Sequence, residues 1–505
     1  MTSQFHPPAN KAEADPRRWL ALAVLLIASF MNLIDVTIVN VAIPSMQKNL
    51  GADASQIEWV IAAYVLAFAL GLLPFGRLGD ILGRTNMFLV GVAAFSAASA
   101  FCGFAPSIEW LIVARVLQGL AGALMTPQVL AIATVTFPPE ERGQSFSLFG
   151  LAAGMAAVAG PIIGALLIQA NFAGLDWRPI FLVNVPVGIL AVVLGWFIIP
   201  RPPGHPDLKN DYVGIVLFAG SMVALVYPLI EGRSYGWPLW SWALMGLAAV
   251  LLAAFVLWER RMAALNKPQL LNYNLITNGN FLLGATVTTI FASGIPGFFM
   301  VFSLLLQVGF GFAPIESGLT SVPFSAGVLA ISLIAGRFGS HYLRTRVAIS
   351  AIMLVTGITW FHFIVANLGD SVDHWTMLPP LLIAGLGLGL GFSALFQTVL
   401  SGIPPRDAGS ASGALQAFQQ VGGSIGVALV GEIFFSNLGD VATLFQSGPA
   451  AVHQAFAHAA ASSTWFQIAT FAAVIVLVFL LKARGPQQQQ GHGGAPAAPP
   501  VPVEA

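Results

Sequence analysis

Charged residues are scarce in this chain. Asp, Glu, Lys and Arg make up 8% of the 505 residues, whereas soluble domains usually carry about 25%, so a soluble protein with a large core is excluded. The net charge is zero and the basic residues are scattered along the sequence, which argues against a nucleic-acid partner. A single cysteine, Cys102, excludes an internal disulfide and any multi-cysteine metal site. We expect no metal and no other cofactor.

Apolar residues are abundant instead, at 57% of the chain. They form runs long enough to cross about 30 Å of hydrocarbon, and these runs lack the alternation of a membrane β-barrel. Residues 1–18 are polar, so we expect no cleavable signal peptide and expect the first run to serve as the insertion signal. We predict an all-α polytopic membrane protein with fourteen transmembrane helices, at 19–43, 57–78, 86–104, 109–131, 145–169, 179–199, 211–231, 239–258, 281–308, 317–336, 347–366, 377–400, 410–435 and 464–482.

The positive charges predict how these helices are oriented. With the N-terminus in the cytoplasm, all of the 21 Lys and Arg residues fall in cytoplasmic segments except Lys48, Arg115, Arg178 and Arg233. Such asymmetry follows the positive-inside rule. We therefore predict that both termini lie in the cytoplasm.

Two short motifs recur in the same order. GRLGDILGRTN begins at Gly76 and GRFGSHYLRTR at Gly336, while FPPEERG begins at Phe137 and IPPRDAG at Ile403. The copies follow the second and the fourth helix of each half, which indicates two parallel six-helix repeats with two helices inserted between them. The predicted units are a cytoplasmic tail at 1–18, a six-helix bundle at 19–199, two inserted helices at 200–270, a second six-helix bundle at 271–483 and a disordered cytoplasmic tail at 484–505.

The motifs resemble those of the major facilitator superfamily. The loop from Gly76 to Arg84 is similar to the GxLaDrxGrk signature after the second helix, with Ile81 in place of the usual basic residue. LIVARVLQGLAGA, from Leu111, resembles the signature of the fourth helix. AGPIIGA, from Ala159, resembles the antiporter motif of the fifth helix.

Two further stretches are similar to motifs of one branch of that superfamily. DWRPIFLVNVPVG, from Asp176, and LIDVTIVNVAIP, from Leu33, resemble motifs of the fourteen-span drug:proton antiporters (EmrB/QacA type). The resemblance implies a proton-coupled antiporter, not an enzyme, that exports hydrophobic or amphipathic toxic compounds by alternating access. The alternative is a dedicated exporter of one metabolite, fatty acid or lipid.

The same resemblance implies the location and the partners of the protein. We expect a multi-pass protein of the plasma (inner) membrane of a bacterium. Its partners are the lipid bilayer, protons and a small-molecule substrate, and we expect a monomer. Whether it works with a periplasmic adaptor and an outer-membrane channel is left open by the sequence.

Three charged residues inside apolar runs are the predicted proton-coupling groups. Asp35 and Arg115 each cost several kcal/mol to place in hydrocarbon, roughly 2.5–3.5 on insertion scales, and Glu432 lies near the end of its run. A partly dry site favours the protonated form of a carboxyl group, which suits a proton carrier. The alternatives are a structural Asp35 bonded to Asn32 or another helix, an Arg115 that reaches the membrane surface, and a Glu432 at the rim. The predicted substrate cavity is lined by Asn32, Asn40, Tyr64 and Gln118.

The remaining predicted site residues belong to two family motifs. Gly160, Pro161 and Gly164 form the antiporter motif, whose small-xxx-small spacing brings helices together. By resemblance, the loop after the second helix forms a latch between the halves. Its predicted members are Gly76, Asp80, Gly83, Arg84 and Arg142, with Asp80 facing the helix that starts near Gly409; a solvated turn is the alternative.

Overall fold

The computed structural model describes residues 15–204, 209–232, 234–335, 342–369, 371–401, 403, 408–439, 444 and 446–481. Within this part of the chain the regular elements are helices, and none is a strand. Here 13 helices are long and apolar enough to cross a membrane, and one more holds a shorter apolar stretch at Gly154–Ala170. The predicted all-α fold with fourteen transmembrane helices is confirmed.

We number the membrane helices α1 to α14 in chain order. Two are interrupted, α6 after Leu182 and α9 after Ser293, and α9 ends in a π-helical turn; α5 is one of several helices with an interior proline, Pro161. The bounds are α1 Arg18–Leu50, α2 Ala54–Leu82, α3 Arg84–Gly103, α4 Ile108–Thr136, α5 Pro139–Ala170, α6 Pro179–Ile198, α7 Tyr212–Glu231, α8 Leu239–Ala264, α9 Gly279–Gly309, α10 Pro314–Ala335, α11 Leu343–Ala366, α12 His374–Leu400, α13 Ala408–Leu438 and α14 Pro449–Val478.

The start of α14 differs from its predicted position at residue 464. The helix begins at Pro449, so His453 and His458 lie on its first turns rather than in a loop. Proline at the first helical position and the alanines that follow favour a helix. The histidines and other polar residues lower the hydropathy of these turns, and hydropathy alone located the predicted boundary.

The two halves of the bundle repeat the same helix contacts. In the first half α1 packs on α5 and α6, and α3 packs on α4 and α6; in the second half α9 packs on α13 and α14, and α11 packs on α12 and α14. Between the halves α2 runs along α13, and α5 runs along α10. Helices α7 and α8 pair with each other, and α7 covers the seam between α2 and α13. Parallel repeats related by an axis along the membrane normal produce this pattern.

The glycines of the predicted antiporter motif bring α5 against α1. A side-chain carbon added at Gly160 would collide with Thr37 of α1, and one added at Gly164 would collide with Ile38. Pro161, between them, presents its carbonyl oxygen to the first turns of α10. Small residues therefore let α5 contact α1 in its own half and α10 in the other half.

Replacing Gly160 or Gly164 by Ala is expected to separate α1 from α5 and to lower the free energy of unfolding by about 1–3 kcal/mol, the usual cost of overpacking. Thermal unfolding of the purified protein measures this loss. Gly246→Ala in α8 is the matched control, because no atom lies within 4 Å of the added carbon there. Its melting temperature should be unchanged or slightly higher. Equal melting temperatures for all three variants would contradict the close α1–α5 contact.

Candidate functional site

Asp35 lies in the middle of α1, and none of its surface is exposed. Its Oδ2 accepts a hydrogen bond from Nη1 of Arg115 at 2.7 Å. Its Oδ1 accepts two more, from Nε2 of Gln118 at 2.7 Å and from Nδ2 of Asn184 at 3.0 Å. Both oxygens of the buried carboxylate are thus held by N–H donors.

These donors come from neighbouring helices and are bonded to one another. Arg115 and Gln118 are three residues apart on one face of α4, and Nη1 of Arg115 donates to Oε1 of Gln118 at 2.6 Å. Oγ of Ser99, in α3, accepts from Gln118 at 2.7 Å and from Asn184, in α6, at 3.3 Å. We call Asp35, Ser99, Arg115, Gln118 and Asn184 the Asp35 cluster; it joins α1, α3, α4 and α6.

The guanidinium of Arg115 is enclosed by α2. Its Nε donates to the carbonyl oxygen of Val60 at 3.0 Å, and its central carbon lies 4.1 Å from the centre of the Tyr64 ring. The backbone acceptor, the cation–π contact and the carboxylate together offset the loss of hydration. Arg115 is 1% exposed, so it faces the interior of its half and not the membrane surface.

The geometry around Asp35 fits an ionised carboxylate. A carboxylate accepts hydrogen bonds with both oxygens, whereas a protonated carboxyl group donates from one of them. All three bonds to Asp35 come from N–H donors, two at Oδ1 and one at Oδ2, so one lone pair of Oδ2 is left to take a proton. Protonation there would remove the negative charge that attracts Arg115 and would weaken all three bonds. The contacts of α1 with α4 and α6 depend on the charge of Asp35.

Two residues predicted to line a substrate cavity extend this cluster towards α2. Nδ2 of Asn32 donates to the hydroxyl of Tyr64 at 2.9 Å, and both residues are buried. Asn32 thus bonds to Tyr64, while Gln118 is fully buried inside the cluster. Asn40 lies further along α1, half-buried, with its Nδ2 3.4 Å from two carbonyl oxygens of its own helix. Among the described residues its Oδ1 has no hydrogen-bond partner.

Asn184 and Ser99 were not among the predicted site residues. Asn184 is the one amide in the apolar stretch IFLVNVPVG. A polar side chain inside a membrane helix is uncommon and usually faces the bundle interior, so Asn184 could have been identified from the sequence. Ser99 offers no comparable signal. The hydroxyl of a serine in a helix usually bonds to a backbone carbonyl of the same helix. A serine in an apolar run therefore does not indicate that another polar side chain lies nearby.

Glu432 lies in the other half of the bundle, on α13. It is half-buried, and the preceding residue, Gly431, packs directly against the carboxyl group of Glu58 in α2. Glu58 is 1% exposed. The carboxyl group of Glu58 therefore lies at the seam between α2 and α13, next to the residue that precedes Glu432. Neither helix contributes a member of the Asp35 cluster.

The predicted latch residues lie where α2 meets α3. Oδ1 of Asp80 is 2.9 Å from Nε and from Nη2 of Arg84, and both side chains are about one third exposed. Arg84 also donates to the carbonyl oxygen of Ala131 in α4, at 3.4 Å. Gly83 separates the two helices with φ +95°, a conformation that favours glycine. These contacts stay within the first half.

The other predicted latch residues are Gly76 and Arg142, and the helix that starts near Gly409 is the expected partner of the latch. A side-chain carbon at Gly76 would lie 3.6 Å from Pro127, an ordinary contact, so no steric demand for glycine exists there. Arg142 lies in α5, but its side chain is outside the described part of the structure, as are the side chains around Gly409. The latch between the halves therefore stays a prediction.

A two-fold helical bundle with a buried ion pair in one half is the architecture of a secondary transporter. The family model of the Major Facilitator Superfamily matches residues 25–212 and 209–427, one match for each half. The chain belongs to the major facilitator superfamily.

Relatives in this superfamily indicate the branch to which the chain belongs. The chain is 37% identical over 450 residues to the probable actinorhodin transporter of Streptomyces coelicolor, covering 89% of this chain and 78% of that protein. It is 32% identical over 495 residues to the puromycin resistance protein pur8 of Streptomyces alboniger, covering 97% and 96%. It is 30% identical over 413 residues to the multidrug export protein EmrB of Haemophilus influenzae, covering 81% and 79%. The chain is a multi-pass bacterial efflux transporter of the fourteen-span drug:proton antiporter branch.

Solved structures agree on the fold. A bacterial homologue of the human lysosomal transporter Spinster, in an inward-facing and occupied conformation, superposes with a TM-score of 0.66. The match covers 93% of this chain and 97% of that one, at 17% sequence identity. At that identity the likeness concerns the fold alone.

Replacing Arg115 by Gln is expected to lower the free energy of unfolding by about 3–5 kcal/mol, because Asp35 is left buried without a counter-charge. The double variant Asp35→Asn/Arg115→Gln removes both charges and should recover much of the loss. Thermal unfolding of the purified protein compares the two.

Arg84→Gln serves as the control for this experiment. It also removes an arginine from an ion pair, but one that is about one third exposed, so the expected cost is below about 1 kcal/mol. Equal losses of stability in Arg115→Gln and Arg84→Gln would contradict the burial of the ion pair between Asp35 and Arg115.

Proposed function

We propose that the chain is a proton-coupled antiporter that exports hydrophobic or amphipathic toxic compounds by alternating access. Asp35 is the proton carrier, and Arg115 is its charge partner. The observation that supports this role is the set of three N–H donors around a fully buried carboxylate. When such a group gains a proton, the charge that strengthens its bonds to Arg115, Gln118 and Asn184 is lost, and a coupling group needs this kind of change.

The coupling follows from the charge of Asp35. While Asp35 is ionised, α1 is tied to α4 through Arg115 and to α6 through Asn184. A proton from outside neutralises the carboxyl group and turns one acceptor oxygen into a donor, so α1 shifts against α4. Helix α5 follows α1 because Gly160 lies against Thr37, and α10 follows α5. Release of the proton to the cytoplasm restores the ion pair.

We propose that both termini are cytoplasmic and that the membrane is the plasma (inner) membrane. The connections after even-numbered helices and the helix ends beside them carry most of the basic residues, such as Arg84, Arg201 and Lys267. The described connections on the other side carry only Arg178, with Lys48 near the end of α1. This distribution supports the orientation through the positive-inside rule.

The remaining predicted roles are also proposals. The ion pair of Asp80 with Arg84, together with Gly76, Gly83 and Arg142, forms a latch that closes the cytoplasmic side against the second half. Glu432 contributes a second protonatable group in that half. The buried contact of Glu58 with Gly431, one residue before Glu432, supports a function for this part of the seam.

A second candidate is a dedicated exporter of one compound. It is favoured by relatives whose names state a single compound, such as actinorhodin and puromycin, whereas another relative is named as a multidrug exporter. Growth of a drug-sensitive bacterial host that expresses the chain, tested on a panel of toxic compounds, separates the two. Protection against several unrelated compounds supports multidrug export, and protection against one class supports a dedicated exporter.

Asp35→Asn is expected to abolish transport driven by a pH gradient, because an amide cannot bind and release the proton. The assay uses proteoliposomes that contain the purified protein and a fluorescent compound exported in the growth panel. With the gradient imposed, uptake by the variant should equal uptake by the same liposomes at equal pH on both sides.

Glu109→Gln is the matched control for transport. Glu109 is an exposed acid on the first turn of α4, the helix that carries Arg115, and the amide keeps an oxygen that can accept the bond from Gln56. The control should transport as the wild type does. Gradient-driven uptake by a folded Asp35→Asn protein would refute Asp35 as the proton carrier.

A further inference from the structure

A cavity of about 590 Å³ lies between the two halves, away from the Asp35 cluster. It is bounded by the ends of α1, α9 and α13 and by the beginnings of α10 and α14. All of these ends are on the side opposite the basic connections. Sites for drug-sized molecules usually measure about 300–1,000 Å³, so the space accommodates such a compound.

Aromatic rings form much of the wall of this cavity. Four phenylalanines line it, Phe312, Phe434, Phe435 and Phe456. The ring of Phe435 meets that of Phe434 edge to face at 5.1 Å, and Phe434 meets Phe456 at 6.0 Å. Phe312 and Phe435 are half-buried and present ring surface to the cavity, whereas Phe434 and Phe456 are almost fully buried, and Phe434 supports Phe435 from behind. The wall is therefore suited to the body of a planar aromatic compound.

The charge on the wall has one sign. Among the described residues that line the cavity, Lys48 alone is charged, and the polar ones are Ser45, Gln47 and Gln307. Lys48 is exposed, and no described acid lies within ion-pair distance of it. The nearby loop acid is Asp176: burial raises its pKa, and the opposing influence of Arg178 is larger than that of Lys48. The ammonium of Lys48 is thus available to a ligand.

Helix α1 connects this cavity with the Asp35 cluster. Lys48 lies about 20 Å beyond Asp35 along the helix axis, at 1.5 Å per residue. Between them, Nε2 of Gln307 in α9 donates to the carbonyl oxygen of Val41 at 3.0 Å. A shift of α1 that accompanies protonation of Asp35 would therefore move one wall of the cavity.

We infer that this cavity is an export-side binding site for planar aromatic compounds that carry a negative charge, such as a carboxylate, sulfonate or phenolate. The rings contact the aromatic body, and Lys48 pairs with the anionic group. The inference rests on the proposed export function, because it assigns the outward cavity to a stage of export. A cation of the same size would meet Lys48 without a carboxylate in the described wall to offset the repulsion.

Two dyes with the same xanthene ring system test this assignment: fluorescein, which is an anion at pH 8, and rhodamine 123, which is a cation. Fluorescence anisotropy measures the binding of each dye to the purified full-length protein in lipid nanodiscs, with no pH gradient. The wild type should bind fluorescein more tightly. Lys48→Gln should weaken fluorescein binding about threefold to fivefold, as for an exposed ion pair, and should leave rhodamine 123 binding unchanged or tighter.

Two further variants separate the rings from the charge. Phe435→Leu should weaken both dyes by a similar factor, about threefold to tenfold, because an aromatic contact is lost. Lys267→Gln, an exposed lysine on the basic side, removes the same charge outside the cavity and should bind both dyes as the wild type does. Melting temperatures of all variants confirm that they are folded.

The assignment is overturned if Lys48→Gln binds fluorescein as the wild type does, or if the wild type prefers rhodamine 123. Because binding is measured without a gradient, loss of proton coupling in the liposome assay leaves this result unaffected. Conversely, a cavity that does not select anions leaves the role of Asp35 intact.

Discussion

The ion pair between Asp35 and Arg115 lies where neither side chain reaches water. Burying two charges costs several kcal/mol for each ion, and their attraction repays this only when hydrogen bonds satisfy the remaining oxygens and N–H groups. The first half of the bundle supplies those bonds. Gln118 and Asn184 hold one oxygen of Asp35, while Val60 accepts from Arg115. The packing of α1, α2, α4 and α6 is set by this requirement.

Helix α1 carries the consequences of the ion pair to other parts of the molecule. It packs along α5 through Gly160 and Gly164, and α5 in turn packs along α10 of the second half. Towards the other end of α1, Val41 accepts from Gln307 of α9. One helix therefore links Asp35 with two of the contacts to the second half, and under the proposed coupling a change of charge at Asp35 alters the arrangement of the halves.

Much of this arrangement is predictable from the sequence, because a charged side chain costs more free energy in hydrocarbon than at the surface of a soluble protein. Long apolar runs predict the helices, and a charge inside a run predicts a buried, paired side chain, as the structure shows for Asp35 and Arg115. Partners with ordinary polarity give weaker signals: Ser99 looks like any small helical residue. The start of α14 was misplaced because histidine and other polar residues lower hydropathy without breaking a helix. Which donors meet at Asp35 depends on tertiary packing, and no local pattern encodes it.

Infrared difference spectroscopy of the purified protein between neutral and acidic pH tests the central claim most directly. A protonated carboxyl group has a C=O stretching band that a carboxylate lacks. Acidification should produce such a band in the wild type together with a change in the backbone amide bands. In Asp35→Asn, whose other carboxyl groups still gain protons, the band should be smaller by the contribution of Asp35 and the amide change should be absent. An identical spectrum change in wild type and Asp35→Asn would contradict the account, because Asp35 would then not gain a proton as the helices move.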